Sequence, residues 1–385
     1  MTRRFLEFFA GGGMVRAALQ PAGWTCVFAN DFDFKKGTTY RLNWGSEDGC
    51  EELAIEDIRK VQADALPDAE LAWASFPCQD LSLAGGGAGL KGERSGTFYP
   101  FWSIIKELVA ARRAPKIVAL ENVTGTLTSH GGSDFAAICA SFADAGYQYG
   151  ALVIDAALFV PHSRPRLFVV GVRSDVEIDP ALTSPEPIDL FHTRGLQRAA
   201  MQLKGKAKAQ WIWWNLPAPP RRTKSFSDLI EENPSSVEWF TKAETDDLLA
   251  MMSPVNKAKV AAARMAGRKM VGAVYKRTRH EDGGKFQRAE VRFDDIAGCL
   301  RTPGGGSSRQ VILVIDGNRI RSRLISSRET ARLMGLPDSY HLPERYNEAY
   351  HLTGDGVAVP VVRFLAKQLF AKVVGEPNNS SVSAA

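Results

Sequence analysis

Through residues 5–173 the chain alternates short apolar runs with helical patterns, and this alternation leaves few folds open to it. Apolar runs at 5–9, 25–29, 71–76, 116–120, 149–154 and 167–172 read as buried strands. Helical patterns at 14–19, around Tyr40 and Asn43, at 101–111 and at 135–145 separate them. A doubly wound α/β sheet is the architecture that buries such strands on both faces. Between residue 175 and about residue 298 the alternation stops, broken by Pro-rich pieces and by Trp211, Trp213 and Trp214. Helical patterns return at 327–334 and 361–373, so the α/β domain is expected to be discontinuous. The expected division is 1–175 plus 322–375 for the α/β domain and 176–321 for a smaller, mainly β or irregular domain. The tail 376–385 is expected to be disordered.

Composition excludes several classes. With 45% hydrophobic and 24% charged residues the chain reads as globular, and no apolar run approaches the roughly 20 residues that span a bilayer. The opening MTRRFLEFFAGGG has too short an apolar region for a secretory signal, which points to the cytoplasm and to no membrane partner. Five cysteines form no close pair and six histidines show no ligand spacing, so neither a disulfide framework nor a metal site is expected. The net charge of +5 is unevenly spread. Residues 191–227 hold no acid but carry Arg194, Arg198, Lys204, Lys206, Lys208, Arg221, Arg222 and Lys224. A second basic block runs through 256–279. Such blocks favour a polyanion, most naturally nucleic acid.

The first strand runs into Gly11-Gly12-Gly13 and then a helix, the opening of a nucleotide-binding unit in which backbone comes close to a ligand. The GxGxxG spacing of a dinucleotide binder is missing. Asp31 ends the second strand, where a carboxylate accepts from both hydroxyls of a ribose. Asp57, beside Ile58, is placed to accept from an adenine amino group. Each acid alone reads as a helix cap, but with the glycine turn they outline an adenosine pocket without a pyrophosphate, which suits S-adenosylmethionine. Cys78, in LAWASFPCQDLSLAG, follows a core strand and precedes a glycine-rich segment, 85–98, expected to act as a lid. Glu121 ends the next strand, and Arg164 and Arg166, two apart, should share one face of an extended chain.

These blocks, in order FFAGGGM, NDFD, EDI, FPCQDLSLAG, ALENV, PHSRPRLFVVG, RLISSRETARLMGLPDSY and GDGVAVP, resemble those of the DNA (cytosine-5) methyltransferases. The resemblance covers most of the chain apart from the central insert and the tail. It implies a Rossmann-like, S-adenosylmethionine-dependent methyltransferase sheet carrying a target-recognition domain. Cys78 would add to cytosine C6 as a thiolate and make C5 nucleophilic. Glu121 would donate to N3 when protonated, which burial favours and a neighbouring arginine opposes. Arg166 would hold the O2 edge, and Arg164 would orient Glu121 or take a phosphate. Phe9 would stack on adenine, Gly11 and Gly13 allow close approach, and Asp31 takes the ribose beside Phe32. Asp57 and Ile58 would flank the adenine, with Pro77 and Asp355 completing the cofactor set. Ser82, Arg94, Arg309 and Gln310 would meet a DNA duplex whose target base is flipped out.

The resemblance further implies S-adenosylhomocysteine as product, no metal, a monomer, and a cognate endonuclease acting on the same site in a bacterial or phage-encoded system. The chain departs from the family pattern at three places. Glu7 stands for the usual Asp, His162 for Gln, and Asp355 for Asn. Two other readings stay open: the same chemistry on RNA, against which the long basic insert speaks, and a catalytically silent DNA-binding relative, against which the intact Cys78, Glu121 and Arg166 speak.

Overall fold

The computed structural model describes residues 3–46, 49–77, 95–281, 284–301 and 308–375. The chain divides into two compact units. The larger comprises Met1–Asp155, Pro165–Pro219 and Val359–Ala385; the smaller comprises Ala156–Arg164 and Pro220–Ala358.

In the larger unit the elements are β1 (Arg3–Phe8), α1 (Met14–Leu19), β2 (Trp24–Asp31), α2 (Phe34–Trp44), β3 (Leu53–Ile55) and β4 (Leu71–Ala74). They continue with α3 (Phe98–Ala110), β5 (Ile117–Val123), α4 (Ser133–Asp144), β6 (Tyr147–Asp155) and β7 (Pro165–Arg173). The short β8 (Thr183–Ser184), α5 (Arg194–Met201), α6 (Gly205–Ala209) and β9 (Trp213–Trp214) follow. Seven strands form one sheet in the order β3-β2-β1-β4-β5-β7-β6. All neighbours are parallel except β7, which runs antiparallel to both β5 and β6. Strand order reverses between β1 and β4, so the crevice beyond their C-terminal ends is the natural ligand position.

The strands are apolar because both faces are covered. Leu71, Ala72, Trp73 and Ala74 are all fully buried. On one face α3 packs Phe98, Phe101, Trp102, Ile105 and Leu108 inward, with Phe8 and Phe101 5.0 Å apart. On the other, α1 meets the helix Val359–Leu365, whose Val361, Val362 and Leu365 are buried. Each such side chain contributes about 1.5–3 kcal/mol, so the strand ends that carry polar residues are rigidly placed.

The boundary expected at Asp175 falls at Pro219 instead. The backbone of edge strand β6 bonds the later segment, through Val153 N to Phe191 O (2.8 Å) and Tyr149 N to Gln210 O (3.0 Å). Trp211, Trp213 and Trp214, which lie within the span expected of the smaller domain, belong here. Trp214 is fully buried and donates its indole N–H to Val170 O at 3.3 Å.

The smaller unit contains α7 (Lys242–Ala250), α8 (Pro254–Met265), β10 (Met270–Glu281), β11 (Gly284–Arg292), β12 (Val311–Asp316) and β13 (Arg319–Leu324), then α9 (Ser327–Leu333) and α10 (Tyr346–Asp355). Its four strands form an antiparallel sheet in the order β11-β10-β12-β13. A core of Leu248, Met252, Val260, Val274, Val291, Leu313 and Ile315 joins that sheet to α7 and α8. These two helices replace part of the irregular structure expected here. Thr241 and Glu244 cap α7 reciprocally, and Pro254 opens α8. Among the described residues no helix is long and apolar enough to cross a membrane.

Candidate active site

Two groups of polar residues line the C-terminal end of the larger sheet. The first is built by the turn after β1. Phe9 takes a left-handed backbone conformation (φ 58°), Gly11 follows at φ 56°, and Gly13 at φ 76° caps α1. At Gly13 a Cβ would collide with the Trp44 ring, whose N–H donates to Gly12 O at 3.0 Å, so only glycine fits. At Gly11 a Cβ would meet nothing within 4 Å among the described residues, leaving open space above the turn.

Asp31, at the end of β2 and only 7% exposed, faces this turn. Its Oδ2 accepts from Gly11 N and its Oδ1 from Asp33 N, both at 2.8 Å. Burial pushes its pKa up, against the pull of Lys36 and those two N–H groups. Phe32 presents its ring to solvent, 71% exposed. Asp57 follows β3 and caps the next turn through Arg59 N (2.9 Å). Asn30, which the sequence did not single out, ties this region together. Its amide donates to Ala54 O (3.2 Å) and Glu56 O (2.9 Å), locking β2 to the segment that carries Asp57. The side chain of Ile58, expected against adenine, instead packs in the hydrophobic core at 4% exposure.

Beneath the glycine turn lies Glu7, fully buried, with neither carboxyl oxygen hydrogen-bonded among the described residues. Burial pushes its pKa up to about 8, although the Arg16 charge and the N–H groups of Val15 and Arg16 pull the other way. The Arg16 guanidinium is committed elsewhere, to Tyr40 Oη (3.1 Å) and to an ion pair with Glu52.

The second group surrounds the ends of β4 and β5. Glu121, 6% exposed, meets Arg166 from the antiparallel neighbour β7, Nε to Oε1 at 3.1 Å. Register makes this possible, since Val123 lies opposite Arg166. The adjacent Asn122 donates to Phe76 O at 3.1 Å and accepts from Val123 N at 2.8 Å. It therefore fixes the backbone immediately before Pro77. This tie was also missed; ENV in the sequence displays the residue without its partner. Cys78, Ser82 and Arg94 lie outside the described residues, as do residues 85–94 of the expected lid.

Arg164 precedes β7 and belongs to the smaller unit. There it is 2% exposed and donates from Nη2 to Gly354 O (2.8 Å) and Gly356 O (2.6 Å), at the C-terminal end of α10. A guanidinium suits those end carbonyls, so Arg164 staples the end of α10. Gln310, expected at base edges, is fully buried, accepting from Tyr275 Oη at 2.7 Å. Arg309 stands 5.7 Å over the Tyr346 ring. Asp355 is the exposed last residue of α10, in the smaller unit. His162, fully buried, bonds Leu333 O through Nδ1 (3.2 Å) and accepts Leu300 N at Nε2 (3.3 Å). A ring donating at one nitrogen and accepting at the other is neutral, and it supplies the donor and acceptor that a Gln amide would.

The family model for the C-5 cytosine-specific DNA methylases matches residues 3–371. The chain belongs to this family. It is thus an enzyme of the DNA (cytosine-5-)-methyltransferase class. It is 25% identical over 376 residues to the Type II methyltransferase M.HhaI of Haemophilus parahaemolyticus, covering 97% of this chain and 96% of that protein. It is 27% identical over 390 residues to M.HpaII of Haemophilus parainfluenzae, covering 96% and 89%. Among solved structures, the Entamoeba histolytica methyltransferase EhMeth superposes with a TM-score of 0.64 at 13% identity, covering 98% of this chain and all of that one. The S. pombe Dnmt2 methyltransferase does so at 0.59 and 18%, covering 97% and 100%. These likenesses carry the fold, a parallel-rich methyltransferase sheet with a separate small-sheet unit.

Proposed function

We infer that this methylase modifies C5 of a cytosine within a short duplex DNA site, as a Type II restriction-modification or phage-encoded enzyme. It would act as a monomer, with a cognate endonuclease cutting the same unmodified site. S-adenosylmethionine, when bound, supplies the methyl group. The residues fit such a donor: open space at Gly11, a buried Asp31 carboxylate with lone pairs left for ribose hydroxyls, and an exposed Phe32 ring beside it.

In this reading the Cys78 thiolate adds to C6 of the flipped cytosine, and the ring electrons make C5 nucleophilic. Glu121 donates to N3 and Arg166 holds O2, so negative charge developing on the ring meets two fixed groups. Once C5 carries the methyl, loss of its proton to a base expels the sulfur and restores the aromatic ring. The observation that carries the reading is the Glu121–Arg166 contact of 3.1 Å, in a unit where Asn122 fixes the backbone leading to Cys78.

Expression in a host lacking cytosine methylation, followed by genome-wide mapping of modified bases, tests it. The expected result is 5-methylcytosine at one short motif, lost with Cys78→Ser. N4-methylcytosine, N6-methyladenine, methylation of tRNA in place of duplex DNA, or undiminished transfer by the serine variant overturns it.

A further inference from the structure

Five of the eight cations in the first acid-free basic block lie outside the smaller unit. Arg194, Arg198, Lys204, Lys206 and Lys208 belong to the larger unit, on and beside α5 and α6, and all five are exposed. Their backbone is firmly seated. Phe191 and Leu196 are fully buried, and Tyr149 of β6 donates its hydroxyl to Ala207 O at 2.7 Å. The ridge lies along edge strand β6, three strands from β4, a step of about 14 Å across the sheet at the usual strand spacing, with α6 set back beside Tyr149 near the start of β6.

Its charges are arranged against local stability. Arg194 opens α5 at the positive end of the helix dipole, with no acid in the first turn. Arg194 and Arg198 are four apart on α5, and like charges at that spacing repel on a helix surface. Among the described residues, none of the five forms an ion pair with a carboxylate. Asp134 of the neighbouring α4 is taken by Ser129 and His130. A rigid, uncompensated row of cations away from the reacting groups is suited to a polyanion that extends past the target base.

We propose that this ridge is a track for the phosphate backbone of duplex DNA flanking the target site. The proposal rests on duplex DNA being the substrate. The contacts go to phosphates, so they add affinity and length dependence without adding sequence information. They leave the methyl-transfer step itself untouched.

The test compares the parent with the variant R194Q/R198Q/K204Q/K206Q/K208Q. Binding is measured over a salt series, on a duplex little longer than the target and on one with long flanks. For the parent, the long duplex should bind more tightly and with a steeper salt dependence. In the variant the slope of log K against log salt on the long duplex should fall by about 2 to 4, since each phosphate contact contributes about 0.9. The single-turnover rate on the short duplex should be unchanged, which also shows that the variant folds. The double variant R194Q/R198Q should give part of the same effect. An unchanged slope on the long duplex overturns the proposal, as does an equal loss on both duplexes, or a loss seen on RNA but not on duplex DNA. A parent that fails to methylate duplex DNA at all sinks the functional reading itself, a different result from a parent that methylates and a variant that binds alike.

Discussion

The two polar groups at the end of the larger sheet treat a buried carboxyl in opposite ways. Around β5 and β7, Glu121 is given a cation at 3.1 Å, and Asn122 beside it has partners for both ends of its amide. Around β1 and β2, Glu7 has burial and no hydrogen bond among the described residues, and Asp31 has two backbone N–H groups and the Lys36 charge. Depth is similar in the two places, so depth is not what sets them apart. What differs is the neighbour that the fold supplies, and at Glu7 the Arg16 guanidinium is held by Tyr40 and Glu52.

The largest effect is expected where the paired carboxyl meets substrate. Glu121→Gln keeps the shape and a hydrogen-bonding group but cannot transfer a proton, and kcat should fall by about 10² to 10⁴ in a tritiated-methyl assay. A kcat within a factor of a few of the parent would place the proton elsewhere. Next comes the unpaired carboxyl. Glu7 keeps a proton in the native state up to about pH 8 that the unfolded chain releases near its ordinary value of 4.5. Stability is therefore full below pH 4.5 as far as this group is concerned, and is lost as pH rises from there to about 8. Asp31, also shifted upward by burial, acts in the same direction. Glu7→Gln should flatten this decline and raise Tm most at pH 8, by calorimetry across a pH series; parallel curves for parent and variant would show that Glu7 is charged.

Smaller changes sharpen the contrast. Asn122→Ala strands the Phe76 carbonyl and should cost about 1 to 3 kcal/mol of stability in chemical denaturation, with a fall in kcat that exceeds any change in cofactor affinity. Asp31→Asn should weaken S-adenosylmethionine binding about tenfold, about 1.4 kcal/mol by titration calorimetry, and leave Tm at neutral pH nearly unchanged. A matching loss of stability would mean that the Asp31 charge holds the fold rather than the cofactor.

Much of this was legible because it is local. A strand, a glycine turn and a helix, an acid at the end of β2, and Glu-Asn-Val at the end of β5 all declare themselves within a few residues. What escaped depended on where a strand begins. β7 starts at Pro165, and Arg164 just before it reaches the carbonyls at the end of α10. Gln310 precedes β12 by one residue and is drawn inward by Tyr275. Basic residues 194–208 looked like part of the insert because composition changes there. Their assignment follows from the free edge of β6, which no linear pattern displays.

The short excursion Ala156–Arg164 has a consequence for how such genes diversify. It belongs to the smaller unit, yet it is separated from the rest of that unit by more than fifty residues of the larger one. Transplanting 220–358 from a relative with another specificity would bring a new helix end for Arg164 to hold and a new amide for His162 to accept, while both side chains stayed behind from the host. Chimeras should work when both stretches travel together, and recombination that moves only the long one should yield misfolded progeny.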